Sequence, residues 1–583
     1  MSNRVLPPGF EESDLSTFKI FVDGSDIGGE YGLLSIFISK SVNKIATAQL
    51  ILTDGDVSEA TFKVSSEPIF LPGKEVEIKL GYNNTEDTVF KGIVIKHGIK
   101  TKPDKPSLLI LELKDSAVKM TVGRKNKYFE EAKDSEVIEE ITGLYGLESD
   151  ITATDTVHPK MVQYFVTDWD FVVSRAEANG HLVFVDDGKI STIKPEIKEA
   201  GIELAYGHNI LEFEADMDAR DQFSSSLSKS WDFAGQALLE EEGTDPGLDD
   251  HGNFTAKELS DVVGLESFVQ QHTGKVSDKE LKAWSDAKLV RSRLAKIKGN
   301  VKTIGFKDLK PGDTVAFSGF GDRFNGKAFV SSVVHSFTSD STWYTTIFFG
   351  LDQNWFHKNY SDVIETPASG LVPAISGLQN GIVTNIHEDP DGEFRVKVRI
   401  PVIDAQDEGV WARVTTLDAG ADRGFFWRPD VEDEVIVGFL NDDPRDPVVL
   451  GTVHSSSKAS PISATEENSE KGIVTKSGMR LIFNDELVSV TIETPNGNVI
   501  SLSEEDGEIG IADENGNVIA MNADGITIES AKDLILKAGG DVTIEGINMT
   551  NKASSKFSAD GGSGAELTSG GQAVIKGALV AIN

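Results

Sequence analysis

The 583-residue chain contains no cysteine. That removes disulfides, thiolate metal sites and thiol nucleophiles together. Histidine is scarce, 10 in all, and none occurs after His454. A histidine-held metal ion is therefore excluded from the chain beyond that point. Basic residues are the minority: 56 Lys and Arg stand against 94 Asp and Glu, a formal net charge of −38. Such a surface repels nucleic acid and anionic membrane, and it keeps a large oligomer in solution. No apolar run is long enough to span a bilayer. The opening stretch MSNRVLPPGF lacks the apolar segment of a secretory signal. Synthesis in a cytoplasm is expected, with any exit by a route other than general secretion.

What the chain does have is a repeat. From Asn517 to Asn548 the sequence falls into blocks of eight: NVIAMNAD, GITIESAK, DLILKAGG and DVTIEGIN. Apolar residues take the second and fourth places: Val518 and Ala520, Ile526 and Ile528, Leu534 and Leu536, Val542 and Ile544. Gly, Asn, Asp, Lys and Glu fill the spaces as turn and solvent residues. Alternation inside a block reads as a very short strand with one buried face. A fixed period reads as stacked copies of one unit. One such ladder cannot bury its own face, because ordering each residue costs about 1–2 kcal/mol and each block offers only a few apolar side chains. Three chains wound about one axis would cover the face and close the strand edges. A single-chain solenoid and a disordered tail are the alternatives, and the regularity of the aliphatic positions weighs against the second.

The rest of the chain is mostly β-type. Phe18–Val22, Ala48–Leu52, Glu75–Leu80 and Ser107–Leu113 read as strands of an antiparallel barrel or sandwich. Helices are expected from a Ser135 cap through Val137, Ile138 and Ile141 to Gly146, from Asp168 to an Asn179-Gly180 end, and from a Ser277-x-x-Glu280 capping box to Gly299. Asp168 and Asp170 could be imagined as a catalytic dyad. A helix cap plus a first-turn carboxylate explains them better, and changing either to Asn should then cost about 1 kcal/mol. Residues 236–276 read as irregular and acidic, and Asp249, Asp250 and His251 there suit a solvated loop better than a metal site. Strands resume at Thr314–Phe317, Ala328–Val330 and Trp343–Phe349, and Thr366–Gly377 reads as a linker. Five short strands between Gly381 and His454 suit a small closed barrel of the OB type. Trp411, Phe425, Phe426 and Trp427 could stack bases there, but an acidic chain favours core or interface packing for them.

At Arg395 to His454 the sequence RVKVRIPVID…WARV…AG…GFFWRPDVEDEVIVGFLNDDPRDPVVLGTVH resembles the OB domain of VgrG-type spike proteins of contractile injection systems. Those serve type VI secretion, extracellular injection particles and phage baseplates. The resemblance extends through Gln163-Tyr164, Asp168-Trp-Asp-Phe171, Arg175, Glu177 and Gly180, through Ser230-Trp231-Asp232, and through Pro311-Gly312-Asp313 to His335. The octads and the closing VIKGALVAIN, Val574 to Asn583, are similar to the family's needle. The resemblance implies a mainly β chain: a hub of two β-barrels with inserted helices over 1–370, an OB-fold barrel over 371–456, and a linker with an intertwined triple-stranded β-helix needle over 457–583.

In function the resemblance implies a homotrimeric spike, made in a bacterial cytoplasm and ejected when a sheath contracts. Its expected partners are two further copies of itself, a hexameric inner tube or tube initiator at the hub, baseplate proteins, effector cargo, and a small PAAR-like tip protein docked on Leu579, Val580, Ile582 and Asn583. No catalytic residue, cofactor, metal or nucleic-acid partner is expected. About fifteen residues, Ser455 to Glu470, separate the OB block from the needle, too few for an inserted muramidase. Two other classes compete. A trimeric β-helix hydrolase or lyase acting on polysaccharide needs paired carboxylates or a Tyr/His/Arg cluster on its face, and the needle has no Tyr and no His. A receptor-binding fibre usually ends in a globular head, whereas here the repeat runs nearly to the last residue.

Overall fold

The computed structural model describes residues 15–103, 105–248, 251–340 and 342–582. The chain divides into two compact units, residues 1–377 with 439–446 and residues 378–438 with 447–583.

A 13-stranded sheet among the described residues frames the first unit. One half runs Leu33–Ser41, Thr47–Thr53, Lys105–Lys114, Thr85–Lys102, Glu75–Tyr82, Ser16–Val22 and Ser25–Asp26. The other runs Gly326–Thr338, Thr342–Phe349, Ile297–Ile304 and Glu212–Met217, with Thr314–Ser318 and Ile202–Ala205 branching from Gly326–Thr338. Alternation of apolar and polar residues, as in Thr47–Thr53, buries every second side chain. Each half has its own core: Ile38, Leu50, Ile78, Phe90 and Leu111 in the first, and Leu204, Val301, Val315, Val330 and Ile347 in the second. Where two barrels were expected, the two halves form one continuous sheet, each half with its own core. The joint is the antiparallel pairing of Ser332–Thr338 with Ser35–Ser41. Phe337 and Trp343, from the second half, are buried in the first core.

A helical layer with its own core, including Val137, Ile138, Val172, Val173 and Met120, is inserted between the halves in sequence. Its first helix is Asp134–Gly143, and its N-cap is Lys133 rather than Ser135. The Glu136 carboxylate accepts from the Lys133 amide at 2.8 Å, while Ser135 is buried in the first turn and bonded to Thr154. The second helix is Asp168–Ala178. The long helix Asp278–Leu294 starts at Ser277 as expected but stops at Leu294. Gly299 lies inside the following strand, paired with Ala215 and Phe349. The stretch read as irregular, 236–276, carries strand Ala237–Glu242, helix Ala256–Val263 and strand Ser267–His272. The capping box Thr255/Glu258 that opens this helix was legible in sequence, and the surrounding acidic, Gly-rich composition masked it.

An ion cluster ties the helices together. The Asp134 carboxylate accepts from Arg175 Nε at 2.6 Å, Arg175 Nη2 at 3.1 Å and Asn179 Nδ2 at 2.9 Å. Its other neighbour is His158 Nε2 at 3.1 Å. Burial would raise the Asp134 pKa, but His158 and Arg175 outweigh burial and hold the carboxyl well below the usual range. Arg175 also reaches Glu280 of the long helix at 3.4 Å.

The second unit begins with the OB barrel. Gln379–Asn385, Val396–Arg399, Val410–Val414, Pro447–Thr452 and Glu434–Phe439 close in that order. Four contacts are antiparallel or close the ring, and Val410–Val414 meets Pro447–Thr452 in parallel. Val383, Val396, Val398, Ala412, Val435, Val437 and Val449 fill the interior. These are the alternate residues of the runs read as strands.

Removing Arg175 should strand the buried Asp134 carboxylate. Arg175→Ala is expected to destabilise the first unit by about 3–5 kcal/mol, read as a lower urea midpoint of the hub transition. The OB transition should be unchanged.

Candidate assembly surface

From Glu470 to Glu529 the chain folds into a seven-stranded antiparallel meander. The strands are Glu470–Val474, Arg480–Asn484, Ser489–Glu493, Val499–Ser503, Glu508–Ala512, Val518–Asn522 and Gly525–Glu529. Asn496-Gly497, Asp506-Gly507, Asn515-Gly516 and Asp524-Gly525 mark four of the turns, each with glycine at positive φ. Directly opposed residues share a face. Ile473, Leu481, Ile492, Ile500, Ile511, Ile519 and Ile528 thus form one unbroken column across all seven strands. Beside it runs a second column: Phe483, Val490, Leu502, Ile509, Met521 and Ile526. Among the described residues no layer covers that face: Ile500, Leu502, Ile509 and Ile511 are each more than two-fifths exposed.

This register corrects part of the octad reading. Val518 stands opposite Glu529 and Ala520 opposite Thr527. Both lie on the face away from Ile526 and Ile528. The residues that share the apolar face in that strand are Ile519 and Met521. An eight-residue period assumes that every copy runs in the same direction. A hairpin pairs residues by constant sum instead, so the face changes from odd to even positions across the Asn522–Gly525 turn.

Beyond Ser530 the pattern changes again. Asn517 Oδ1 accepts from Ser530 Oγ at 3.1 Å and from the Ala531 amide at 3.0 Å. Asn517 is itself pinned by Asp513, which accepts from its amide at 2.8 Å and its Nδ2 at 2.7 Å. These bonds draw the Asp513 carboxyl down to about 2. Among the described residues after Ala531 there is no strand, and the backbone–backbone bond present is Gly564 N to Gly561 O at 3.1 Å. Leu534, Leu536, Val542 and Ile544 are all more than half exposed, as are Leu579 and Ile582, with Val580 a little less so. Asn583 lies outside the described residues.

The other candidates come apart. Asp168 and Asp170 do not form a dyad. Thr167 is the N-cap of their helix, accepting from the Asp170 amide at 3.1 Å and donating to its carboxylate at 2.6 Å. Asp168 is buried, and it accepts from Lys125 Nζ at 2.6 Å, Tyr145 OH at 2.6 Å and Gln163 Nε2 at 2.8 Å. Burial opposes ionisation there, but the bonds from Gln163, Lys125 and Tyr145 win and hold the pKa below its ordinary value. Asp170, with less help, is pushed up by burial. Asp249 and Asp250 lie outside the described residues. His251 is buried beside Phe317 and Phe349, with Nε2 at 3.1 Å from the Phe324 carbonyl, and burial lowers its pKa to about 4. Among the described residues no group of three His, Asp or Glu could hold a metal ion. No described helix is long and apolar enough to cross a membrane. Of the aromatics, Trp411 is half-buried beneath Lys397, whereas Phe425, Phe426 and Trp427 are exposed.

Comparison with known proteins follows this geometry. Residues 12–339 match the family described as Alg8 N-terminal domain, a name that states no activity. Residues 379–454 match the type VI secretion system/phage-baseplate injector OB domain. The segment Arg395 to His454, on which the resemblance to VgrG-type spikes was drawn, lies inside that match. Among solved structures, the chain is similar to a 43 kDa tail protein of prophage MuSo2 from Shewanella oneidensis, at 14% identity and a TM-score of 0.45 over 58% of this chain and 98% of that one. It is similar to a type VI secretion component of E. coli, at 12% and 0.37 over 75% and 100%. It is also similar to a chain of the Francisella PdpA–VgrG complex, at 9% and 0.39 over 88% of each.

Two expectations arise here. Asp168→Asn should cost about 1–3 kcal/mol, at or above the 1 kcal/mol of a lost cap, because a buried carboxylate that accepts from Lys125, Tyr145 and Gln163 is replaced by an amide that cannot accept from all three. Thermal unfolding of the hub measures it, and the penalty should fade below about pH 4 as the wild-type carboxylate is protonated. For the trimer expected from the repeat, Ile528→Asp and Ile519→Asp should abolish self-association, whereas Glu529→Lys should be nearly silent. Sedimentation velocity reads all three, and equal effects would contradict the assigned face.

Proposed function

We propose, from the premise that this chain belongs to the Alg8 N-terminal domain family and carries an injector-type OB domain, that it is the structural spike of a contractile injection machine. The observation that supports this best is the needle. Its meander carries two apolar columns on one open face, and its last fifty residues have almost no backbone hydrogen bonds of their own. Burying each such aliphatic side chain is worth about 1.5–3 kcal/mol, and a buried peptide group without a partner costs a similar amount. Two further copies of the same chain meet both needs. The homotrimer buries the columns of Ile519, Met521, Ile526 and Ile528 about one axis, and Leu534, Leu536, Val542 and Ile544 continue that core toward the tip.

In this reading the hub over 1–370, with its two sheet halves, seats on a hexameric inner tube. The OB domain spans 371–456 and the needle 457–583. Sheath contraction drives the needle through the target envelope, and the spike itself makes and breaks no bond. A small PAAR-like protein caps the needle by docking on Leu579, Val580, Ile582 and Asn583. Exposed apolar side chains on backbone without internal partners suit strand addition from such a cap. A phage baseplate spike is the same reading in another machine.

Native mass of the full chain should give three copies, and a monomer at micromolar concentration would overturn the proposal. Removing Leu579 to Asn583 should leave the trimer intact and abolish co-purification of a co-expressed tip protein. Capture at full strength by the shortened spike would place the docking site elsewhere.

A further inference from the structure

The OB barrel carries an arm that barrel packing leaves in solvent. It rises after Val410–Val414 and returns at the buried Pro429. Leu417 is 86% exposed, Phe425 56%, Phe426 76% and Trp427 58%. Three consecutive aromatics more than half exposed mean solvent on both sides of the segment, since successive side chains of an extended backbone point opposite ways. Single exposed apolar residues are ordinary, but a run of large ones marks a contact surface. Aromatics of this kind supply most of the energy at interfaces.

The arm is rigid rather than a loose loop. Ala419–Gly420 pairs with Arg423–Gly424 as a miniature hairpin. Arg423 Nη1 donates to both Asp418 oxygens, at 3.0 and 2.8 Å. The Phe425 amide donates to the Asp418 carbonyl at 2.9 Å, and Thr416 Oγ1 donates to the Phe425 carbonyl at 2.9 Å. Gly424, at φ 128°, sits where a Cβ would meet the Asp418 carbonyl oxygen at 2.3 Å. A held geometry of this sort lowers the entropy lost on binding.

We infer that this arm is a clasp between copies of the chain, with Leu417, Phe425, Phe426 and Trp427 seated against a neighbouring protomer. The inference rests on the trimeric reading of the needle. Size and charge select this occupant. Three part-exposed aromatics and a leucine bury roughly 400–500 Å², well short of the roughly 800 Å² per partner of a free-standing interface. The contact therefore suits a partner already held at high local concentration, and the needle in the same unit supplies that condition. Arg423 is spent on the arm's own Asp418, and Arg428 at the arm's base is half-buried and donates to the Arg395 carbonyl at 2.6 Å, so neither cation stands out in solvent to recruit an acidic stranger.

The cysteine-free chain permits a direct test. Leu417→Cys and Phe426→Cys are introduced singly into the full-length protein, with Ser456→Cys as a solvent control, and labelled with a water-soluble maleimide after sedimentation has established the oligomer. In the trimer the two arm thiols should react at least about tenfold more slowly than the control, because interface anchors are sealed from water. Adding Ile528→Asp, to give the monomer, should restore equal rates. Separately, Phe426→Ala with Trp427→Ala should raise the trimer dissociation constant at least about tenfold while leaving barrel unfolding unchanged. Equal labelling in a proven trimer, or unchanged dissociation of the double variant, overturns the clasp and leaves the needle reading standing. A wild-type chain that sediments as a monomer overturns both.

Discussion

An apolar sheet face that no other described residue covers is the constraint on which the rest of this protein depends. In the hub and the OB domain, strands meet that constraint internally, by curving around cores such as Ile38–Leu50–Leu111 and Val383–Val398–Val437. The needle cannot, because a single seven-stranded meander has two faces and no second layer. Among the described residues its side chains lack cover and, past Ala531, nearly all its peptide groups lack backbone partners as well. The trimer proposed above meets both deficits with two further copies of the chain.

The hub is held differently. Its joints are ionic as well as apolar: Asp134 with Arg175 at the helix ends, Asp168 with Lys125 and Tyr145, and Glu177 with Arg291 and the Phe356 amide. Buried pairs of this kind add less net stability than well-packed apolar groups, but they are severe when half-broken. They fix one arrangement of helices against sheet. The residues that might have been read as chemistry, Asp168 above all, are occupied in this way. An engaged carboxylate with three donors is a poor base, and a poor acid at neutral pH.

Much of the fold was legible in the residues because their periodicity is strong and local. The OB strands could be read from alternation alone, since Val396-Lys397-Val398 and Val435-Ile436-Val437 each place two valines inward. The failures share a cause, which is that local signals do not report how segments pair. Gly299 looked like a helix stop and is a strand residue between Ala215 and Phe349. Ser135 looked like a cap, but Thr154, nineteen residues on, takes its hydroxyl. The octad reading placed Val518 and Ala520 with Ile526 and Ile528, and chain reversal at Asn522–Gly525 moved them to the other face. No single-residue property encodes parallel against antiparallel succession. The exposed arm was half legible: composition set Phe425, Phe426 and Trp427 apart, while only the coordinates separate them from the half-buried Trp411.

The charge of the chain bears on the same question of partners. At −38 per copy, like chains repel, and a contact between them must be built where carboxylates are absent. The two needle columns contain no charged residue beyond the first strand, where Lys471 stands opposite Phe483. Leu417, Phe425, Phe426 and Trp427 are likewise uncharged. Acidic groups instead crowd the turns and the opposite face, as at Glu493, Glu508 and Glu529. Charge thus works as a filter on encounter. It opposes contact over most of the surface and leaves the two needle columns free of carboxylates. A long, thin, apolar ladder is otherwise a hazard, because it offers the same face to any unfolded neighbour. In the proposed trimer, surrounding it with carboxylates makes association depend on full-length register, where every column meets its equivalent, instead of on any short apolar overlap.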